Sequence, residues 1–338
     1  MRYSLVLLCL GVSMGLGGCG GGGGGGGGEN SPPVTTAPST STATAVTASN
    51  LDQISRSSNT AAGAATSSAD PQLAILLVGG VETQSPAVLA QGVLPAAVAI
   101  SERLGELRSQ PDFAGGISSS KQVACKKAGS ATLSMNYANT TVYTVGDTGS
   151  ITFSACDDGG GTVLSGKVSS TVTVSQRRSS TTTVVAMKMV FENYKAASTT
   201  SAVAANLNGT VDLTLTVDSQ FVTSAVAAKT FNVSYGSDSL ALSDLVASTK
   251  VNKVTSDSTQ TVSESFVHTQ PGGKITGKIM VSASVKGGAI TAGNLRFYGN
   301  ASDVYLTYLG SENVKVDADF NGDGTIDSSK TTTLAALI

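Results

Sequence analysis

The sequence predicts a mainly β protein, a large curled antiparallel sheet packed with an N-terminal helical segment. Two observations carry that expectation. From Ser130 almost to the C-terminus apolar residues recur at every second position, and the breaks between the alternating runs are dense in Gly, Asp, Asn and Ser. Roughly eleven strands are too many for a flat open sheet, so curling into a half-barrel, closure into a barrel or stacking into a sandwich is expected.

The N-terminus has a different character. Residues 1–18 carry Arg2, an apolar run from Leu5 to Leu16, and then Gly17 and Gly18. That is the plan of a secretory signal, and the run is short for a membrane-spanning helix. Leu16-Gly17-Gly18-Cys19 resembles the lipobox of bacterial lipoproteins. The resemblance implies cleavage before Cys19, acylation of that cysteine, and stable anchoring through more than one chain. Gly20 stands where an Asp would retain a Gram-negative lipoprotein at the inner membrane. The resemblance therefore implies an outer-membrane location, with the face left open.

Residues 19–70 begin with the lipidated cysteine and nine consecutive glycines, Gly20 to Gly28, and continue in Ser, Thr, Ala and Pro. Too little apolar area is present to offset the entropy of ordering, so the stretch is expected to be a disordered tether. Residues 71–115 are Ala- and Leu-rich. The clearest helix there starts near Pro95, sets Ile100, Leu104 and Leu107 on one stripe, and stops at Pro111. The shorter run Leu73 to Val78 is also assigned to helix.

Residues 116–338 form the expected β domain. Strands are predicted at 131–137, 149–155, 163–175, 182–193, 205–218, 229–235, 259–269, 273–286, 294–299, 303–309 and 313–318. In the fifth of these, Leu207, Val211, Leu213, Leu215 and Val217 share one face, and Asn208, Thr210, Asp212, Thr214 and Thr216 share the other. A faint repeat, LSGKVSSTVTV, LNGTVDLTLTV and ITGKIMVSASV, puts Gly166, Gly209 and Gly277 on the inward face of similar strands. A glycine there marks a bend or a close approach by another element. The unequal spacing of the three copies argues for a meander with variable loops. The architecture resembles the half-barrel-over-helix plan of envelope lipoprotein carriers and sensors, with no motif behind the likeness.

Composition narrows the function. The chain has 21 Lys and Arg against 23 Asp and Glu, which provides no basic field for a nucleic acid. One histidine, His268, restricts imidazole chemistry and metal sites to a single ring. It lies on the same strand parity as Val262, Glu264 and Phe266, where a packed or solvated role is the ordinary one. Asp157 and Asp158 open a glycine turn and are assigned to turn chemistry. No GxSxG, HExxH, CxxC or P-loop pattern occurs, and no partner is identifiable for a serine nucleophile.

With Cys9 lost in the signal and Cys19 assigned to lipid, Cys125 and Cys156 remain. In an oxidising compartment they most simply form a disulfide; free thiols or a metal pair have no supporting neighbours. Near the C-terminus Asp319, Asn321 and Asp323 alternate around Gly324, with Asp327 four residues further on. This resembles the calcium loop of EF-hands and dockerin repeats, whose hard oxygens converge on one cation. Lys330 stands where the family has a bidentate acid, so the resemblance implies weak calcium binding. The functional expectation is a lipid-anchored, non-enzymatic binding or carrier module. The alternatives are a surface structural or adhesion component with a calcium-stabilised C-terminal loop and, third, an envelope hydrolase. The expected partners are the membrane through the lipid and an apolar ligand or an envelope protein.

Overall fold

Strictly alternating side chains give each strand one dry and one wet face, and a chain of such strands joined by short turns buries its dry faces by pairing in sequence order. The computed structural model of the chain describes residues 43–66, 119–138, 143–157, 162–199, 204–235, 238–271, 273–286, 289–310 and 313–337. Among the described residues there are one α-helix, α1 (Leu51–Thr66), and fourteen strands. The strands are β1 (Ser119–Ala124), β2 (Ala128–Asn136), β3 (Thr148–Asp157), β4 (Thr162–Arg177), β5 (Thr183–Ser198), β6 (Ala204–Val217) and β7 (Phe221–Tyr235). They continue with β8 (Asp238–Asn252), β9 (Ser258–Gln270), β10 (Gly273–Lys286), β11 (Ala289–Tyr298), β12 (Asp303–Gly310), β13 (Asn313–Asp319) and β14 (Ser328–Thr333). All lie in a single antiparallel sheet whose spatial order is the sequence order. Among the described residues the sheet is not closed, since β1 and β14 are its two edges.

Bulges supply the curvature. Register shifts at Phe153/Cys156, Phe191/Tyr194 and Ser243/Val246 coincide with Ala155, Asn193 and Asp244, three non-glycine residues with positive φ. Each adds a residue on one side of a ladder and bends the strand. The inward faces of β2 to β13, α1 and the terminal 3-10 turn (Leu334–Leu337) thereby share one apolar core. Leu207, Val211 and Leu213 are buried in it as the alternation predicts, while Leu215 and Val217 are half-buried toward the strand end.

Each of the three repeat glycines is in register with a phenylalanine on a neighbouring strand: Gly166 with Phe153, Gly209 with Phe191 and Phe231, Gly277 with Phe266. A Cβ at Gly209 would lie 2.7 Å from Cδ2 of Phe231, and one at Gly277 would lie 2.0 Å from Cε2 of Phe297. Gly209 and Gly277 are the floor on which large rings rest, whereas a Cβ at Gly166 would meet the main chain of Asn193 at the neighbouring bulge.

The sequence expectation misses three strands and underestimates a fourth. The edges β1 (SSKQVA) and β14 (SSKTTT) are short and polar, which is how an exposed edge avoids further pairing, and such strands lack alternation. In β8 the bulge at Asp244 moves the inward set from Leu240 and Leu242 to Leu245 and Ala247, so a strict period of two fails across it. The strand β7 begins eight residues before the predicted 229, in Ala and Ser of little apolar contrast.

The tether expectation needs correction as well. Within the stretch 19–70 the structure has the helix α1, which packs on the sheet. The helices expected at 73–78 and from Pro95 lie outside the described residues. The sequence LDQISRSSNTAAGAAT has only Leu51 and Ile54 as large apolar residues, too few to announce a stripe. The main chain of Asn50 accepts the first helical bond, from the Ile54 N–H, while its side chain ties the preceding turn to Thr47 N–H and the Ala45 carbonyl. Upstream, Thr44 exchanges hydrogen bonds with Thr276 of β10 and Val46 N–H donates to Ser302 Oγ.

Candidate functional site

Helix α1 lies against β8 to β12, and the contact is more polar than a core ordinarily is. Ser55, Ser57, Ser58 and Asn59 of α1 are all buried, and so are Gln260, Glu264 and His268, spaced four residues apart on the inward face of β9. Inward parity sets this β9 row, and its polar members stand where apolar ones would be expected.

His268 joins helix to sheet. Its Nδ1 is 3.0 Å from Ser57 Oγ, which also accepts a 3.3 Å bond from Gln270 Nε2, and its Nε2 is 3.8 Å from Asp238 Oδ2. The carboxylate beside Nε2 favours the tautomer with the proton on Nε2, so the Ser57 hydroxyl donates to Nδ1. Burial pulls the imidazole below its usual range and Asp238 offsets part of that, leaving the ring neutral near pH 7.

Hydroxyl, imidazole and carboxylate in series is the order of a nucleophilic triad. The surroundings do not suit the chemistry. Ser57 is fully buried and sits on α1 itself, so any movement that opened a path to its hydroxyl would carry it away from His268. The series is a docking contact.

Glu264 is the largest anomaly in the core. It is 0% exposed, neither carboxyl oxygen has a hydrogen-bond partner, and burial raises its pKa well above the ordinary carboxylate range. The side-chain oxygens of Gln260 and Ser58 are likewise buried and unpaired. Because an unsatisfied buried polar group costs about 1–3 kcal/mol, Glu264→Met is expected to stabilise the fold by about that amount at neutral pH. Glu264 keeps its proton in the folded state and releases it near pH 4.5 when unfolded. The pH-dependent part of its burden is therefore absent below that pH and grows as pH rises toward the folded pKa, on top of the cost of the unpaired carboxyl. Denaturant melts of both proteins at pH 4 and pH 8 check this: the gap must widen with pH, and equal stability at pH 8 refutes it.

The calcium-like loop is closed by its own backbone. Asp319 Oδ1 accepts from the N–H groups of Asn321 and Gly322 at 3.2 and 2.7 Å, and Oδ2 accepts from Gly324 at 2.8 Å. Asp323 accepts from Thr325 N–H, which lowers its pKa, and Asp327 caps Phe320 N–H. Lys330 makes an ion pair with Asp52 of α1. Among the described residues no three His, Cys, Asp or Glu side chains stand together as a group that could hold a metal ion.

Cys125, in the turn after β1, and Cys156, in β3, are disulfide-bonded with Cα atoms 5.5 Å apart. Asp157 is buried and paired to Lys127 at 3.5 Å; Asp158 and Cys19 lie outside the described residues. On the outer face Arg296 stacks on the rings of Tyr298 and Tyr305 at 4.4 and 4.9 Å and binds Asp303 at 2.5 Å, a cluster satisfied largely within itself. A cleft under α1, lined by Asn59, Val281, Gly293, Leu306 and Leu337 among others, holds about 20 Å³, room for roughly one water.

No family model, curated protein or solved structure matches the chain. In the sequence His268 and its parity with Glu264 stand out, while Ser57, Asp238 and Gln260 do not. The one available signal was that parity, which puts Gln260 and Glu264 on the dry face.

Proposed function

We propose that the chain is a lipid-anchored protein of the bacterial outer membrane that acts without catalysis, through its surface, as a structural or adhesion component. The lipobox-like tetrad ending at Cys19 supports the anchor. What favours a surface role over the carrier role is the filled inward face. Phe191, Phe231, Phe266 and Phe297 occupy it, and the cleft beneath α1 holds about 20 Å³, far below the several hundred cubic ångströms of a small-molecule pocket.

Two measurements test this reading. Cys19→Ala should prevent acyl incorporation and move the protein from the membrane to the soluble envelope fraction; unchanged membrane association overturns the anchor. Native mass spectrometry of protein extracted from its own envelope should give the chain plus lipid without a stoichiometric apolar ligand, and finding such a ligand restores the carrier reading.

Calcium enters only as a weak stabiliser of the 319–327 turn. Asp319, Asn321, Asp323 and Asp327 would hold it, with affinity in the range of roughly 10⁻⁴–10⁻³ M for such modules. Millimolar calcium is expected to raise the melting temperature slightly, and magnesium less. Asp319→Ala with Asp323→Ala also removes backbone caps, so the diagnostic quantity is the calcium-dependent increment rather than stability itself. No increment in the unaltered protein leaves the loop a turn and nothing more.

A further inference from the structure

We propose that the Asp238–His268–Ser57 series is a pH-sensitive latch that holds α1 on the inner face of the sheet and releases the helix as the surroundings acidify. The proposal concerns the fold alone and does not depend on how the chain is anchored.

The seam is built for reversible docking. Beyond Leu51 and Ile54 the described buried residues of α1 are serine, asparagine and alanine, so the helix brings little apolar area to its contact. Elements with few buried apolar contacts open well below the free energy of global unfolding. A polar tie from α1 to β9 runs through the Ser57 hydroxyl, which is shared between His268 and Gln270.

Protonation acts on that tie directly. In the neutral ring Nδ1 accepts from Ser57. The imidazolium carries a proton on both nitrogens, so Ser57 must become an acceptor and its own hydrogen must find another partner. The new charge is buried in the seam, and Asp238, at 3.8 Å and beyond hydrogen-bond distance, compensates it only in part.

The other groups facing His268 do not neutralise it. From β8 comes Leu240 beside Asp238, and from β10 Ile275, with the exposed Lys274 next to it. On β9 Glu264 is neutral, and on α1 Asp52 and Arg56 are exposed, Asp52 being paired with Lys330.

The sign follows from the ring's environment. A docked imidazole titrating below the ordinary 6.5 makes docking complete above that pH and progressively lost as pH falls through 6.5 toward the docked value. A one-proton linkage steepens the opening equilibrium by up to about tenfold per pH unit in that interval. Release uncovers the stretch of β8 to β10 that α1 covers.

Amide hydrogen exchange on the full mature chain between pH 7.5 and 5, corrected for intrinsic rates, reads the latch. The amides of α1 are expected to lose protection as pH falls while those of β5 to β7 keep theirs. His268→Gln retains a hydrogen-bonding side chain without a titrating one and should flatten the dependence. Asp238→Asn, at a partly exposed side chain, should deepen it, because the carboxylate that tolerates the imidazolium is gone. With one imidazole in the chain, a single NMR titration curve gives the docked value, expected below 6.5. Protection of α1 that does not change with pH overturns the proposal, as does the same change in His268→Gln or a ring that titrates at or above 6.5.

Discussion

Phe231→Ala is expected to remove about 3–5 kcal/mol of stability, the usual cost of deleting a large aromatic side chain from a packed core. Phe231 is fully buried, meets Phe191 edge to face at 5.5 Å, and rests on Gly209. Its removal leaves a void that its neighbours cannot fill, because the floor residue has no side chain and strand pairing on both sides fixes the backbone. Gly209→Ala cannot repair the void in the variant without strain, since φ at that position is +142°. Denaturant titration of both proteins gives the difference, and a loss below about 1 kcal/mol would mean that the sheet relaxes around the gap.

Cys125→Ser is expected to cost about 2–5 kcal/mol, the range for loss of a native disulfide. The bridge closes a span of 31 residues and ties the turn after β1 to β3, at the end of the sheet where the strands are short. Without it β1 has one pairing partner, and Ser120 to Ala124 are all exposed, so its amides should lose protection before those of β4 to β7. Alkylation before and after reduction provides the companion measurement. Both thiols labelling freely in the native, unreduced protein would refute the bridge.

Much of the architecture is legible because alternation in a half-buried strand is a local signal. The runs in β6, β9 and β10 state their inward residues one by one, and Gly209 and Gly277 stand out because a glycine on a dry face asks for something to lie over it. Where the signal was missing, the reason is equally local. Edge strands of Ser, Thr and Lys have no dry face to declare, and the bulge at Asp244 shifts parity within one strand.

The seam between α1 and the sheet was not legible in that way. His268 and Ser57 are 211 residues apart, and although His268 is the chain's one histidine, nothing marks Ser57 among the many serines. Glu264 reads in sequence as a charged residue on an ordinary strand, and only full burial makes it an anomaly.

The sequence by itself determined the class of the fold, the strand faces and the expectation of a disulfide, because periodicity and cysteine pairing rest on neighbours along the chain or on simple counting. The tertiary structure alone decided that the meander stays open among the described residues, that phenylalanines cover Gly209 and Gly277, that α1 packs against β8 to β12, and that Asp238, His268 and Ser57 meet. Those outcomes depend on the bend which each bulge adds to the sheet, and that bend brings together residues whose separation in sequence carries no trace of their contact.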